Sequence, residues 1–299
     1  RPEIKSLYLD PGRKFFDSQC IINNSNPFYQ VYAVAAQAVG AEPHFIPATG
    51  ATGFLPDYTA LPGDLLDRVT VAYVCSPSNP QGAIADRAYW ADLIALAEKH
   101  DFLIFADECY SEIYFDESNP PCGLLQAAAA MGNVDYRRCV VLHSLSKRSN
   151  APGLRSGFIA GDAEVIGAFQ RYRTYHGCAM PLHHQAASSV AWRDEKHVQE
   201  NRALYQAKFD AVLDILSDVL DVVRHDAGFY LWPKTPITET DFARKLFAEQ
   251  NVTVLPGSYL SRDTDGGNPG KNRVRMALVP PIEDCIEAAQ RIKTCVESC

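Results

Sequence analysis

The sequence predicts an α/β fold, a mostly parallel central sheet flanked by helices, with a smaller α+β part at the C-terminal side. Three observations carry that expectation. Short apolar runs of strand length at 71–75, 102–106 and 139–142 each end in a polar, turn-rich cluster. A stretch of helical periodicity separates the first run from the second, the strand–helix–strand order of a parallel sheet. Beyond a long helical stretch from about 195 to 220, only short mixed elements and a terminal helix follow.

Taken in order, Val71-Ala-Tyr-Val-Cys75 reads as a buried strand that ends in Ser76-Pro-Ser-Asn79-Pro-Gln-Gly82. Pro and Gly there hold a turn that can present the Asn79 amide to a ligand. Residues 87–100 carry Trp90, Leu93, Ile94 and Ala97 on one face and form the crossover helix. Phe102-Leu-Ile-Phe-Ala106 is the next strand, and Asp107-Glu-Cys-Tyr110 is its exit. A carboxylate at such an exit needs a cationic partner, because burying it unpaired is costly. The alanines at 127–130 extend a helix. The run 139–142 is a third strand, followed by Ser144-Leu-Ser-Lys147-Arg-Ser-Asn-Ala-Pro-Gly-Leu-Arg155-Ser-Gly157. Lys147 therefore sits in a loop at a strand exit, where partial desolvation lets an amine lose its proton and condense with a carbonyl. Ser144 and Arg155 flank it as phosphate ligands, with Ser146 a further hydroxyl. Phe158-Ile-Ala160 reads as another strand. Short elements at 222–223, 229–232, 252–255 and 274–278, with a terminal helix at 282–296, make up the smaller part. The expected division is a large domain at 1–205 and a small one at 206–299.

Each cluster alone has an ordinary explanation: an exposed loop lysine, a turn aspartate, an Asn-Pro turn. Three at successive strand exits point to a site, since open α/β sheets bind ligands beyond the carboxyl ends of their strands. Composition excludes several other classes. With 299 residues and 47% hydrophobic content the chain can bury a large core, and a net charge of −8 argues against a nucleic-acid or anionic-membrane surface. No apolar run is long enough to span a bilayer and no signal-peptide pattern opens the chain, so a cytoplasmic location is expected. The nine cysteines contain no C-x-x-C pair and the eight histidines no metal spacing; no metal site is expected. Cys109 reads as a small buried hydrophobe. No G-x-G-x-x-G occurs, and Gly266-Gly-Asn-Pro-Gly-Lys271 lacks the first glycine and the hydroxyl of a phosphate loop.

Asn79, Asp107, Tyr110, Ser144, Lys147 and Arg155, with the intervals between them, resemble the cofactor pattern of fold-type I pyridoxal-phosphate enzymes of the class I aminotransferase group. The resemblance implies pyridoxal 5'-phosphate as cofactor and Lys147 as the residue that joins it and moves the substrate proton. Asp107 would face the pyridine nitrogen, Tyr110 and Asn79 the phenolic oxygen, and Ser144, Ser146 and Arg155 the phosphate. Tyr29 matches the aromatic that covers the ring, and Arg275, in Asn272-Arg-Val-Arg-Met-Ala-Leu278, the arginine that grips the substrate α-carboxylate. A core tyrosine and a strand-surface ion pair are the ordinary readings of those two. Arg148, Arg173 and Tyr175 are candidates for the distal substrate end. The wording Asn26-Pro-Phe-Tyr-Gln-Val-Tyr32, Glu108-Cys-Tyr-Ser-Glu-Ile-Tyr114, Tyr172-Arg-Thr-Tyr-His-Gly177 and Asn251-Val-Thr-Val-Leu-Pro-Gly257 is similar to the succinyldiaminopimelate aminotransferases of bacterial lysine synthesis. That similarity implies transamination of N-succinyl-L,L-2,6-diaminopimelate with 2-oxoglutarate. Another amino-acid transaminase or a β-lyase would use the same cofactor residues.

The group carries an N-terminal arm and a glycine-containing turn ahead of the Asn-Pro-Phe-Tyr element. Here 25 residues precede Asn26, and residues 1–19 show no such turn. The expectation is an N-terminally incomplete relative that holds cofactor weakly, forms poorly defined oligomers and turns over little, whereas the full-length form would be a homodimer.

Overall fold

The β-branched and aromatic runs become the central strands because both of their faces are covered. In the computed structural model, which describes residues 20–299, β1 (Ile21–Asn26), β2 (Glu42–Pro47), β3 (Val69–Cys75), β4 (Leu103–Asp107), β5 (Cys139–Ser144) and β6 (Gly157–Gly161) form one sheet of order β2-β1-β3-β4-β5-β6. All neighbours run parallel except β5 and β6, which are antiparallel. The expectation for residues 1–19 lies outside the described residues.

Helices cover the sheet: α1 (Gln30–Ala38), α2 (Arg87–His100), α3 (Leu124–Ala130), α4 (Ala163–Tyr175) and α5 (Leu182–Arg193). The predicted crossover helix α2 starts where Asp86 accepts the Tyr89 amide at 2.7 Å and stops at Asp101 in the left-handed region. Its buried stripe Trp90, Leu93, Ile94 and Ala97 joins Val74, Ile104 and Val141 in the main core. β5 and β6 approach closely at Gly157, where a Cβ would lie 2.5 Å from the His143 carbonyl oxygen.

The long helix α6 (Lys196–Leu216) runs from one core to another. Tyr205 packs with Tyr110, Ile113 and Phe229, whereas Phe209, Val212 and Leu216 belong to the second core. That second core is built on β7 (Tyr230–Leu231), α7 (Glu239–Gln250), β8 (Leu255–Pro256), β9 (Val274–Ala277) and α8 (Ile282–Glu297). Its sheet is antiparallel, in the order β7-β9-β8. The expected element at 222–223 is not a strand; Val222 packs against this core from an irregular segment. Asn26 ties the two parts together, donating to the Arg262 carbonyl at 2.8 Å and accepting the Arg262 amide at 3.0 Å.

Candidate active site

Asp107 ends β4 in register with Cys75 on β3 and Leu142 on β5, so it faces the side of the sheet that Leu142 faces. One carboxylate oxygen accepts the Cys109 amide at 3.1 Å, and the other accepts the phenolic hydrogen of Tyr32. Tyr32 is buried and stacked flat on Tyr73, with ring centres 4.6 Å apart. No lysine, arginine or histidine lies within ion-pair distance of Asp107 among the described residues. The site thus offers a fixed carboxylate to a cation that none of the described residues supplies within ion-pair distance.

Lys147 lies on a single helical turn, Leu145–Arg148, rather than in a loop. The Ser144 hydroxyl oxygen caps this turn by accepting the Ser146 amide at 3.0 Å, which sets the direction of Lys147 directly after β5. The Lys147 Nζ stands 5.2 Å from the centre of the Phe229 ring and 5.9 Å from that of Tyr110. Burial holds its ammonium below the ordinary lysine value; the Arg275 charge pushes the same way and Asp107 opposes it. Lys147 is therefore a more available amine than a surface lysine.

Arg275, on β9 of the small sheet, reaches back to the turn after β3. Its guanidinium donates to Asn79 Oδ1 at 3.1 Å and sits 4.6 Å over the ring of Tyr230. Asn79 in turn donates through Nδ2 to the Tyr110 hydroxyl at 3.3 Å, and that hydroxyl lies 3.0 Å from the hydroxyl of Tyr230. The turn itself depends on Gly82. Its φ is +71°, and a Cβ there would come within 2.4 Å of the Ala227 carbonyl oxygen.

At the other end, the Ser144 and Ser146 hydroxyls are 2.8 Å apart. Arg155 enters β6 two residues before Gly157, the register partner of Ser144. It is exposed, and it donates to the Pro152 carbonyl at 2.7 Å, leaving further N–H groups for an anion. Tyr29 is 46% exposed, edge-on to Tyr32 with ring centres 5.6 Å apart.

The three candidates for a distal subsite are not brought together. Arg148 is buried, donates to the Ala191 carbonyl at 2.8 Å, pairs with Glu195 and packs over Trp192. It points away from Lys147 because adjacent residues of one helical turn face different ways. Arg173 is spent on the carbonyls of His176 and Cys178, and Tyr175 is 79% exposed. A cavity of about 1140 Å³ opens on the opposite face of the sheet, lined by Glu108, Val141, His143, Phe158 and Ala160. Strand alternation separates it from Asp107 and Lys147, so it is not the site described above.

Sequence reasoning missed Tyr32, Phe229 and Tyr230. Tyr32 lies in the first turn of α1, three positions after Tyr29, the residue that precedes the helix, a spacing that was readable; Tyr230 comes from β7 and Phe229 from the residue before it, distant in sequence. The combined donor set fits pyridoxal phosphate, with an uncompensated carboxylate, an amine of lowered basicity, an amide and a phenol side by side, and two hydroxyls with an arginine beyond them.

Comparison with known proteins points the same way. The family model described as aminotransferase class I and II matches residues 13–292. An LL-diaminopimelate aminotransferase of Dehalococcoides mccartyi is 31% identical over 280 residues, 92% of this chain and 67% of the relative. Among solved structures, an aminotransferase from Neisseria meningitidis is 46% identical with a TM-score of 0.88, covering 97% of this chain and 72% of that one. A probable N-succinyldiaminopimelate aminotransferase from Thermus thermophilus is 26% identical with a TM-score of 0.81, covering 93% and 72%.

Proposed function

The chain belongs to the class I and II aminotransferases, a pyridoxal-phosphate family, and on that premise we propose that it exchanges an amino group between a diaminopimelate-type amino acid and a 2-oxo acid. N-succinyl-L,L-2,6-diaminopimelate and 2-oxoglutarate are the proposed pair, in a cytoplasmic homodimer that serves lysine synthesis. The observation that carries the reaction class is Lys147, an amine of lowered basicity at the strand exit next to that of Asp107, a carboxylate with no cation within ion-pair distance among the described residues.

In this reading bound pyridoxal phosphate supplies an electron-withdrawing ring that accepts the electron pair released at the substrate Cα. The protein does the rest. With the cofactor bound, Lys147 would take the Cα proton as general base and deliver it to the carbon on the far side of the nitrogen, two bonds away. Asp107, steadied by Tyr32, keeps a positive charge at the ring nitrogen. Tyr110 and Asn79 would donate toward the ring oxygen, Tyr29 would cover one ring face, and Ser144, Ser146 and Arg155 would receive the phosphate. Arg275 holds the substrate α-carboxylate and so orients the Cα–H bond.

A second reading takes free LL-diaminopimelate as the amino donor, and the name of the Dehalococcoides relative favours it. Because Arg148 is committed to Glu195, the distal end of either substrate must be read by other groups. Kinetics with both donors, 2-oxoglutarate as acceptor, separate these readings. Glutamate formation at comparable kcat/KM from neither donor overturns the diaminopimelate assignment, and a purified protein without a visible cofactor band after incubation with pyridoxal phosphate overturns the reaction class.

A further inference from the structure

We propose that Tyr230 is a positioning residue that couples the carboxylate grip of Arg275 to the hydroxyl of Tyr110. The inference rests on the roles given above to Arg275 and Tyr110, and deepens them. Tyr230 is buried on the short strand β7, and it meets both groups at once: its ring lies 4.6 Å beneath the Arg275 guanidinium, and its hydroxyl is 3.0 Å from that of Tyr110.

The direction of the Arg275–Asn79 and Asn79–Tyr110 hydrogen bonds follows from chemistry, and in the hydroxyl pair Tyr230 is taken as the donor. An arginine only donates, so its bond to Asn79 turns the amide oxygen toward Arg275 and the amide NH2 toward Tyr110. The Tyr110 oxygen is therefore an acceptor from Asn79. If Tyr230 donates as well, both acceptor positions of Tyr110 are filled, and its own hydrogen has only the open site to point to. A hydroxyl that accepts twice is also a stronger donor. Tyr230 thus aims the Tyr110 hydrogen, while its ring presents an electron-rich face that holds Arg275 in place between carboxylate-binding events. Neither contact is available from within the large sheet, since Arg275 and Tyr230 both come from the small one.

The two contacts predict separable effects. Tyr230→Phe keeps the ring and removes the hydroxyl; Tyr230→Leu removes both. The readouts are calorimetric binding of glutarate, a carboxylate that cannot react, to cofactor-free protein, and the pH midpoint of the visible absorbance of cofactor-loaded protein. Tyr230→Phe is expected to leave glutarate affinity within about twofold and to raise the absorbance midpoint by about one pH unit, as expected when one hydrogen bond supporting an anionic oxygen is weakened. Tyr230→Leu is expected to raise the midpoint similarly and to weaken glutarate by about 3- to 30-fold, the range of a partly buried cation–π contact. Tyr110→Phe and Arg275→Lys serve as references. If they move the midpoint and the glutarate affinity respectively while both Tyr230 variants behave as wild type, the Tyr230 inference is overturned and the site reading stands. If the references are silent too, both are overturned. Tyr230→Phe keeps its packing on Phe229, so the hydroxyl arm remains decisive even if Tyr230→Leu does not fold.

Discussion

Tyr32 donates its phenolic hydrogen to Asp107, and it does so from a buried ring stacked on Tyr73. Burial pushes the Tyr32 hydroxyl far above the ordinary tyrosine value, and Asp107 adds to the shift, so the phenol stays neutral and remains a donor at every working pH. Loss of a hydrogen bond to a charged group costs about 1.5–3 kcal/mol. Tyr32→Phe is expected to weaken cofactor retention by roughly 10- to 100-fold in equilibrium dialysis, whereas Asp107→Asn retains some cofactor but slows turnover by at least about 100-fold. An Asp107→Asn enzyme with the wild-type rate would make the carboxylate structural.

Lys147→Ala should abolish turnover while leaving the circular-dichroism spectrum unchanged, since no other lysine among the described residues is placed at the site. Stability gives an independent check. The folded pKa of Lys147 is lowered, so between that value and the ordinary lysine value the unfolded chain binds more protons, and stability rises with pH through this window. At neutral pH the fold therefore carries a penalised charge. Lys147→Met is expected to raise the thermal midpoint of cofactor-free protein at pH 7, with the gain shrinking as pH climbs through the window. Retained turnover in either variant would remove Lys147 from the chemistry.

Arg275→Lys tests the carboxylate grip. An ammonium cannot reproduce two parallel hydrogen bonds to a carboxylate, nor lie flat on the Tyr230 ring. KM should rise about 10- to 100-fold for the amino donor and for the oxo acid alike. A rise for one substrate only would reassign Arg275 to side-chain recognition.

Arg148 should behave as a structural residue. With its side chain 3% exposed and its guanidinium bound to the Ala191 carbonyl and paired with Glu195, Arg148→Met is expected to cost about 1–3 kcal/mol in denaturant unfolding. KM for long dicarboxylic donors should not change. A changed KM with unchanged stability would restore it to the substrate site.

His143 sets an acid limit. Burial lowers its pKa to about 4, and its neutral ring accepts the Ser144 amide at Nδ1 and meets the Ser111 hydroxyl at Nε2. Between its ordinary value near 6.5 and about 4 the unfolded chain binds the extra proton, so stability is lost as pH falls through that range. His143→Gln should flatten this dependence in thermal melts; an equally steep slope would place the titrating group elsewhere.

Asn79, Asp107 and Lys147 were readable because each lies where a strand stops. Val71–Cys75, Phe102–Ala106 and the run at 139–142 are continuous apolar segments, and only their exits carry Asn79, Asp107 and Lys147. Hydrophobic period and turn residues are local properties, so the sequence alone determined the α/β class, the helix Arg87–His100, and the position of Asn79, Asp107 and Lys147 just beyond apolar runs. It did not announce β1, whose Ile-Ile-Asn-Asn-Ser-Asn stretch is polar at four of six positions yet almost wholly buried, because burial there comes from neighbours across the sheet. Nor could it place Arg148, which it offered to the distal substrate end and which instead pairs with Glu195, while the adjacent Lys147 meets the aromatic floor of Phe229. Tyr230 and Arg275 lie far along the chain from Tyr110 and Asn79 and meet them only because α6 carries the chain into a second core that folds back on the first. Contacts between residues so distant in sequence leave no periodic trace; only the packing of the two cores decides them.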